Sequence, residues 1–151
     1  KGEEVADIYV KSITKLNSIN CPSKFNSSAI DEFLIIFLVA AKAYGISKFK
    51  DLGEMNKKES KRLDLAVKFL KLIGIKVERF RNNINIHGNP KITLSKNFEM
   101  TNYLKDHRIF FLSCIAALTL GGNWKINEKK SANTSFPDFL KILKFLGATI
   151  N

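Results

Sequence analysis

Phe69-Leu70-Lys71-Leu72-Ile73-Gly74 decides how the chain folds, because it returns near the C-terminus as Leu143-Lys144-Phe145-Leu146-Gly147. Each copy closes an apolar helix on a glycine, the residue that most readily takes the left-handed conformation of a helix stop. Upstream of each stop the order is the same: helix, glycine stop, strand, polar loop, helix. The first block opens at Asp31 and the second at Asp106, and the interval between these openings matches that from Gly74 to Gly147 to within two residues. This spacing reads as an internal duplication. A helix-and-strand unit cannot bury its own apolar face, so it needs a copy of itself beside it. The approximate units are 29–88 and 104–151, within a single partial domain spanning 1–151, of mixed α/β (α+β) class.

Outward from that repeat, local signals predict the elements. Ser28, with Asp31 three residues on, reads as a capping box. It opens a helix with apolar side chains on nearly every face up to Tyr44, and Gly45 is its stop. A short strand is expected near 48–52. The next helix carries Leu63, Ala66, Val67 and Leu70 at helical spacing. Val77–Phe80 and residues 84–86 read as a hairpin around Asn82-Asn83, a pair that tolerates positive φ. Residues 5–13 read as a strand and 17–28 as a surface loop. Residues 90–103 show no clear period and read as loop with at most a short strand. In the second block Asp106 opens a helix through Leu120, Gly121-Gly122 ends it, 124–126 is strand-like and Ser135 opens the last helix. A further strand is expected beyond Gly147.

Composition bounds the partners. The chain has 151 residues, 45% of them hydrophobic, enough for one domain with a core. Its net charge is +11 from 25 cations, yet only Arg62, Arg79, Arg81 and Arg108 are arginine. The lysines are spread along the sequence, as in a general compositional drift, whereas a nucleic-acid footprint clusters its charge. Cys21 and Cys114 lie far apart and read as free thiols in a reducing compartment, which predicts a cytoplasmic protein. No secretory signal pattern is seen, and the most apolar run, Phe33–Ala41, is too short to span a bilayer. No membrane, nucleic acid, metal or cofactor is expected as a partner. The start at Lys1-Gly2-Glu3-Glu4, without a methionine, suggests residues upstream.

Lys58-Glu59-Ser60-Lys61-Arg62 is where chemistry is expected. Residues three and four apart share a helical face, so Lys58, Glu59 and Arg62 can converge. A helix beginning near Glu59 or Ser60 would add unpaired backbone N–H groups and make a cup for an anion, with Glu59 placed to exchange a proton with its occupant. The plainer alternative is a solvated first turn whose acid is favoured by the helix dipole.

Ile30-Asp31-Glu32-Phe33, Lys58-Glu59-Ser60-Lys61-Arg62, Asp106-His107-Arg108 and Ser135-Phe136-Pro137-Asp138-Phe139 occur in one order, preceded by Gly2-Glu3-Glu4-Val5-Ala6-Asp7. In this the chain resembles the C-terminal part of the 5-enolpyruvylshikimate-3-phosphate synthase (EPSP synthase) family. The resemblance implies repeated βαβαββ units of the enolpyruvyl transferase fold, with helices packed inside sheets and an active site between two domains. It implies transfer of the enolpyruvyl group of phosphoenolpyruvate to the 5-hydroxyl of shikimate 3-phosphate, a step of the shikimate pathway of aromatic amino acid biosynthesis. By the same resemblance Asp31 contacts shikimate 3-phosphate and accepts its proton, and Glu59 works on the methylene carbon. Lys58 then binds shikimate 3-phosphate, and Arg62 and Arg108 grip phosphoenolpyruvate. Guanidinium suits that grip because its planar fork meets carboxylate or phosphate oxygens with two bonds. From its position between Asp106 and Arg108, His107 could orient either one, although a lone histidine beside a helix start is more often structural. The remaining contacts would come from an N-terminal domain absent here, so the isolated chain is expected to be inactive.

Several residues depart from the family pattern. Asn133-Thr134-Ser135 stands where many members carry a lysine, which Lys129 or Lys130 could replace only if their loop folds inward. Leu34 stands in place of a common proline, and Phe110-Phe111 are bulkier than usual. Two rival readings are a UDP-N-acetylglucosamine enolpyruvyl transferase and a non-catalytic basic module that binds nucleic acid.

Overall fold

The apolar run beginning at Phe33 lies at the centre of the structure. In the computed structural model, which describes residues 2, 5–103 and 105–151, that run forms α1 (Phe33–Ala41). After it come β1 (Ile46–Phe49), a 3-10 turn (Gly53–Lys57), α2 (Arg62–Leu72), β2 (Val77–Phe80), β3 (Asn83–His87) and β4 (Leu94–Met100). Then α3 (His107–Leu120) runs directly into β5 (Gly121–Ile126), and a 3-10 turn (Lys129–Thr134) leads to α4 (Phe139–Phe145). The order helix, strand, 3-10 turn, helix thus occurs twice.

α1 packs against α2, α3 and β3. Phe33 and Phe37 stack with ring centroids 5.6 Å apart, and buried Phe49 sets its ring at a steep angle to both. The first sheet has the order β1-β3-β2, all antiparallel, with Ile46 opposite His87 and Val77 opposite Ile86. Ile84 and Ile86 alternate inward from β3, the period of two that a strand on a core requires. Residues 16–21 lie along the other edge of β1, where Tyr44 N–H donates to Leu16 O at 2.8 Å and Cys21 N–H to Lys48 O at 2.9 Å. β4 and β5 form a parallel pair, with Phe98 stacked on Trp124 at 4.6 Å.

Local signals misplaced several boundaries. Residues 5–13 are exposed and form no strand, because no described strand lies beside them to satisfy their backbone groups. Ser28 does not cap α1: its Oγ donates to Phe25 O at 3.1 Å, a local bond that competes with capping, and residues 26–32 make turns. The hairpin turns one residue early, on Arg81-Asn82 with Arg81 at φ 54°, while Asn83 enters β3 and its Oδ1 accepts the Asp51 N–H. β4 is a full strand where no period was readable, since three polar residues in its first half are exposed and hide the alternation. α4 starts at Phe139 and not Ser135, and residues 148–151 form no strand. The glycine stops at Gly74 and Gly147 have φ of 81° and 98°, as the repeat required.

Candidate functional site

The starts of α1, α2 and α3 meet at one end of the core, and this gathers residues far apart in the chain. Asp31 and Glu32 precede α1; Lys58, Glu59 and Ser60 form the turn ahead of α2, whose first residue is Arg62; Asp106 is the N-cap of α3 and Arg108 its second residue.

Arg62 is the hub. Its side chain is 1% exposed, but carboxylates surround it. Nε donates to Asp106 Oδ2 at 2.9 Å, Nη1 to Asp31 Oδ1 at 2.8 Å, and Nη2 to Glu59 Oε2. Such pairing on every nitrogen is what makes burial of a guanidinium tolerable. Asp106, also 1% exposed, is bonded on both oxygens. Its Oδ2 accepts from Ser60 Oγ at 2.7 Å as well, and its Oδ1 accepts the Arg108 N–H at 3.0 Å, which caps α3. Arg108 folds back over α1: Nη1 donates to Asp31 O at 2.7 Å and to Glu32 Oε1 at 3.3 Å, and Nη2 lies 3.5 Å from Asp31 Oδ2. Lys58 Nζ lies 3.5 Å from Asp31 Oδ1.

Asp31 therefore sits among three cations while its side chain stays 38% exposed. Burial acts to raise its pKa, but the charges of Arg108, Lys58 and Arg62 outweigh that and hold it below the usual carboxylate range. At Asp106 burial also acts upward and is outweighed, here by the Ser60 and Arg62 hydrogen bonds, the Arg62 charge and the Arg108 N–H. Arg62 is raised: burial works against its charge, but Asp106, Glu59 and Asp31 more than compensate.

Two features differ from the expected anion cup. α2 begins at Arg62, so Lys58 and Glu59 reach the site from an irregular turn and not from a shared helical face. Its first-turn donors are not free either: Asn56 Oδ1 accepts the Leu63 N–H at 3.0 Å and the Asp64 N–H at 3.4 Å. The cup is instead filled by side chains, with Lys58, Arg62 and Arg108 facing Asp31, Glu32, Glu59 and Asp106.

His107 does not orient its neighbours as expected. It is half-buried, lies 5.9 Å from the Phe111 ring, and among the described residues makes no hydrogen bond to Asp106 or Arg108. Thr134 closes a 3-10 turn, its Oγ1 donating to Ser131 O at 3.0 Å. Lys129 and Lys130 line, with Lys105 and Glu128, a hollow apart from Asp31, Arg62 and Arg108. The bulky Phe110 and Phe111 pack on Phe139, the latter at 4.4 Å, so the Ser135 motif is held to α3 by aromatic contact. Asp106, Ser60 and Glu32 join the site only through the tertiary structure. Asp106 was legible as a helix opener, and its place beside His107-Arg108 was the one further signal.

A family model described as EPSP synthase (3-phosphoshikimate 1-carboxyvinyltransferase) matches residues 2–143. Curated relatives named 3-phosphoshikimate 1-carboxyvinyltransferase include that of Thermodesulfovibrio yellowstonii, 34% identical over 96% of this chain and 33% of its own length. That of Zymomonas mobilis is 36% identical over 97% of this chain and 33% of its own. A solved EPSP synthase from Acinetobacter baumannii superposes with a TM-score of 0.82 at 30% identity, covering 91% of this chain and 32% of that one. The enolpyruvyl transferase NikO from Streptomyces tendae, covering 92% of this chain and 30% of its own, superposes with a TM-score of 0.62 at 17% identity, a likeness of fold alone. The chain spans about a third of the length of the curated relatives it matches.

Proposed function

The chain belongs to the EPSP synthase family, and from that premise we propose that the protein carrying it transfers the enolpyruvyl group of phosphoenolpyruvate to the 5-hydroxyl of shikimate 3-phosphate. Its fold is the mixed helix-and-strand fold of the enolpyruvyl transferases. The single observation that carries the functional reading is the convergence of Asp31, Lys58, Glu59, Arg62 and Arg108 at one end of the core.

In the addition step the 5-hydroxyl oxygen bonds to the enol carbon, its proton passes to Asp31, and Glu59 delivers a proton to the methylene carbon, giving a tetrahedral ketal. Elimination breaks the carbon–oxygen bond to phosphate and returns a proton from the methyl carbon to Glu59, while the leaving phosphate takes up the proton held by Asp31, so both acids are restored. Lys58 holds shikimate 3-phosphate. Arg62 and Arg108 take the anionic groups of phosphoenolpyruvate in place of the exposed carboxylates that now occupy their outer nitrogens. His107 has no part in this reading. The recurring helix, strand, 3-10 turn, helix order supports units 29–88 and 104–151 as duplicated copies. A further domain supplying the other side of the site is supported by the one-third coverage of the relatives. Cytoplasmic residence is supported by two free cysteines. Among the described residues, no helix is long and apolar enough to cross a membrane.

Titration of shikimate 3-phosphate and phosphoenolpyruvate into the 151-residue chain, followed by NMR, tests the reading. Binding is expected to be weak and to fall about ten-fold or more in Arg108→Ala, the loss of one charged hydrogen bond. No phosphate release at a whole enzyme's rate is expected from the chain alone. A response to a UDP-sugar in place of shikimate 3-phosphate, or binding indifferent to Arg108→Ala, would overturn it.

A further inference from the structure

We propose that Asp106 is a positioning residue: from inside the core it aims the Arg62 guanidinium and seats the helix start that carries Arg108, so that one buried carboxylate sets both arginines toward a common anion. The inference rests on the functional reading above for the identity of that anion.

The three partners of Arg62 are not alike. Asp31 and Glu59, on the outer nitrogens, are 38% and 58% exposed, so solvent or a ligand can replace them. Asp106 grips Nε, the inner nitrogen, and is itself out of reach of solvent at 0% side-chain exposure. Nε lies in the guanidinium plane, so a fixed bond there limits rotation of the fork while Nη1 and Nη2 stay free to exchange partners. Asp106 is held in turn. Ser60, itself buried, donates its Oγ to the same Oδ2 that takes Nε, and the Arg108 N–H closes on the other oxygen. The anchor therefore touches no substrate and acts through two residues that do.

Two lesser roles make opposite predictions. If Asp106 only caps α3, asparagine replaces it without loss, because asparagine caps as well as aspartate. If it only neutralises charge, its removal leaves the site more positive and an anion binds tighter. Positioning alone predicts that Asp106→Asn weakens anion binding although the site gains positive charge.

The experiment compares the wild-type chain with Asp106→Asn and Ser60→Ala, using phosphoenolpyruvate and shikimate 3-phosphate as probes. With four arginines in the chain, the Nε–H resonances are few enough to assign. The Arg62 Nε–H is expected to exchange slowly with water in wild type and at least about ten-fold faster in Asp106→Asn, while helix content is kept. Affinity for the probes is expected to drop roughly ten-fold in Asp106→Asn, with a smaller drop in Ser60→Ala. An Arg62 Nε–H as protected in Asp106→Asn as in wild type, or unchanged or tighter binding in that variant, overturns the proposal. Should Asp106→Asn fail to fold, Ser60→Ala decides by the same two readouts. Should wild type bind neither probe, the functional reading fails, and the Nε–H exchange still decides whether Asp106 aims Arg62.

Discussion

Arg62 shows how far a single residue can bind the site to the fold. Its removal strands Asp106 in the core without a counter-charge, so Arg62→Ala is expected to destabilise the chain by about 3–5 kcal/mol in urea unfolding. Arg62→Lys keeps the charge but offers no planar fork for three carboxylates, and most of that loss is expected to remain. The same network sets the acid response. Asp31 and Asp106 have folded pKa values held below the unfolded carboxylate value of about 3.9. The unfolded chain therefore binds more protons in acid, and the stabilisation is complete above about pH 4 and lost as pH falls through the depressed values. Thermal melts between pH 2 and pH 7 should show this fall, shallower in Asp106→Asn. A melting temperature flat across that range would contradict the network.

At the scale of elements, close approach and conformational freedom make separable demands on glycine. A Cβ on Gly88 would lie 2.1 Å from Ala43 O, just past α1, and 2.7 Å from Ala40 O in its last turn, both backbone atoms that cannot step aside. Gly88→Ala is expected to cost about 3 kcal/mol through this clash. At Gly74 nothing lies within 4 Å, and the cost is conformational, since φ is 81°. Gly74→Ala is therefore expected to cost about 1–2 kcal/mol. Comparing the two by denaturant midpoint separates the effects, and equal losses would refute the distinction. The Gly74 stop was legible because it depends on its own helix. The crowding at Gly88 was not, because it depends on a crossing with residues more than forty positions earlier.

Over the whole molecule, excess charge and chemistry part company. The chain is strongly basic at +11, yet carboxylates outnumber cations at the candidate site. Arginine placement, not total charge, marks that end of the core. Global opening can be followed at Cys114, whose buried thiol is pushed up to about 12. At pH 8 a thiol reagent is expected to modify half-buried Cys21 first and to reach Cys114 only through unfolding. Labelling of both at equal rates in the folded chain would show that the α3 core is open.

The helices α2 and α3, their glycine stops and the residue types of the site came from sequence alone, because helical period, turn chemistry and the choice of arginine over lysine are local properties. Tertiary structure alone decided that Arg62, beside its sequence neighbour Glu59, also meets Asp31 and Asp106. The Ser60–Asp106 bond spans 46 positions and the Arg62–Asp31 bond spans 31. It also decided that β4 pairs with β5, that residues 5–13 form no strand with the described residues, and that Asp106 bonds Ser60 and Arg62 as well as capping α3. Burial and partner choice depend on which helix starts are packed together, and no short window of sequence around Arg62 contains Asp31 or Asp106.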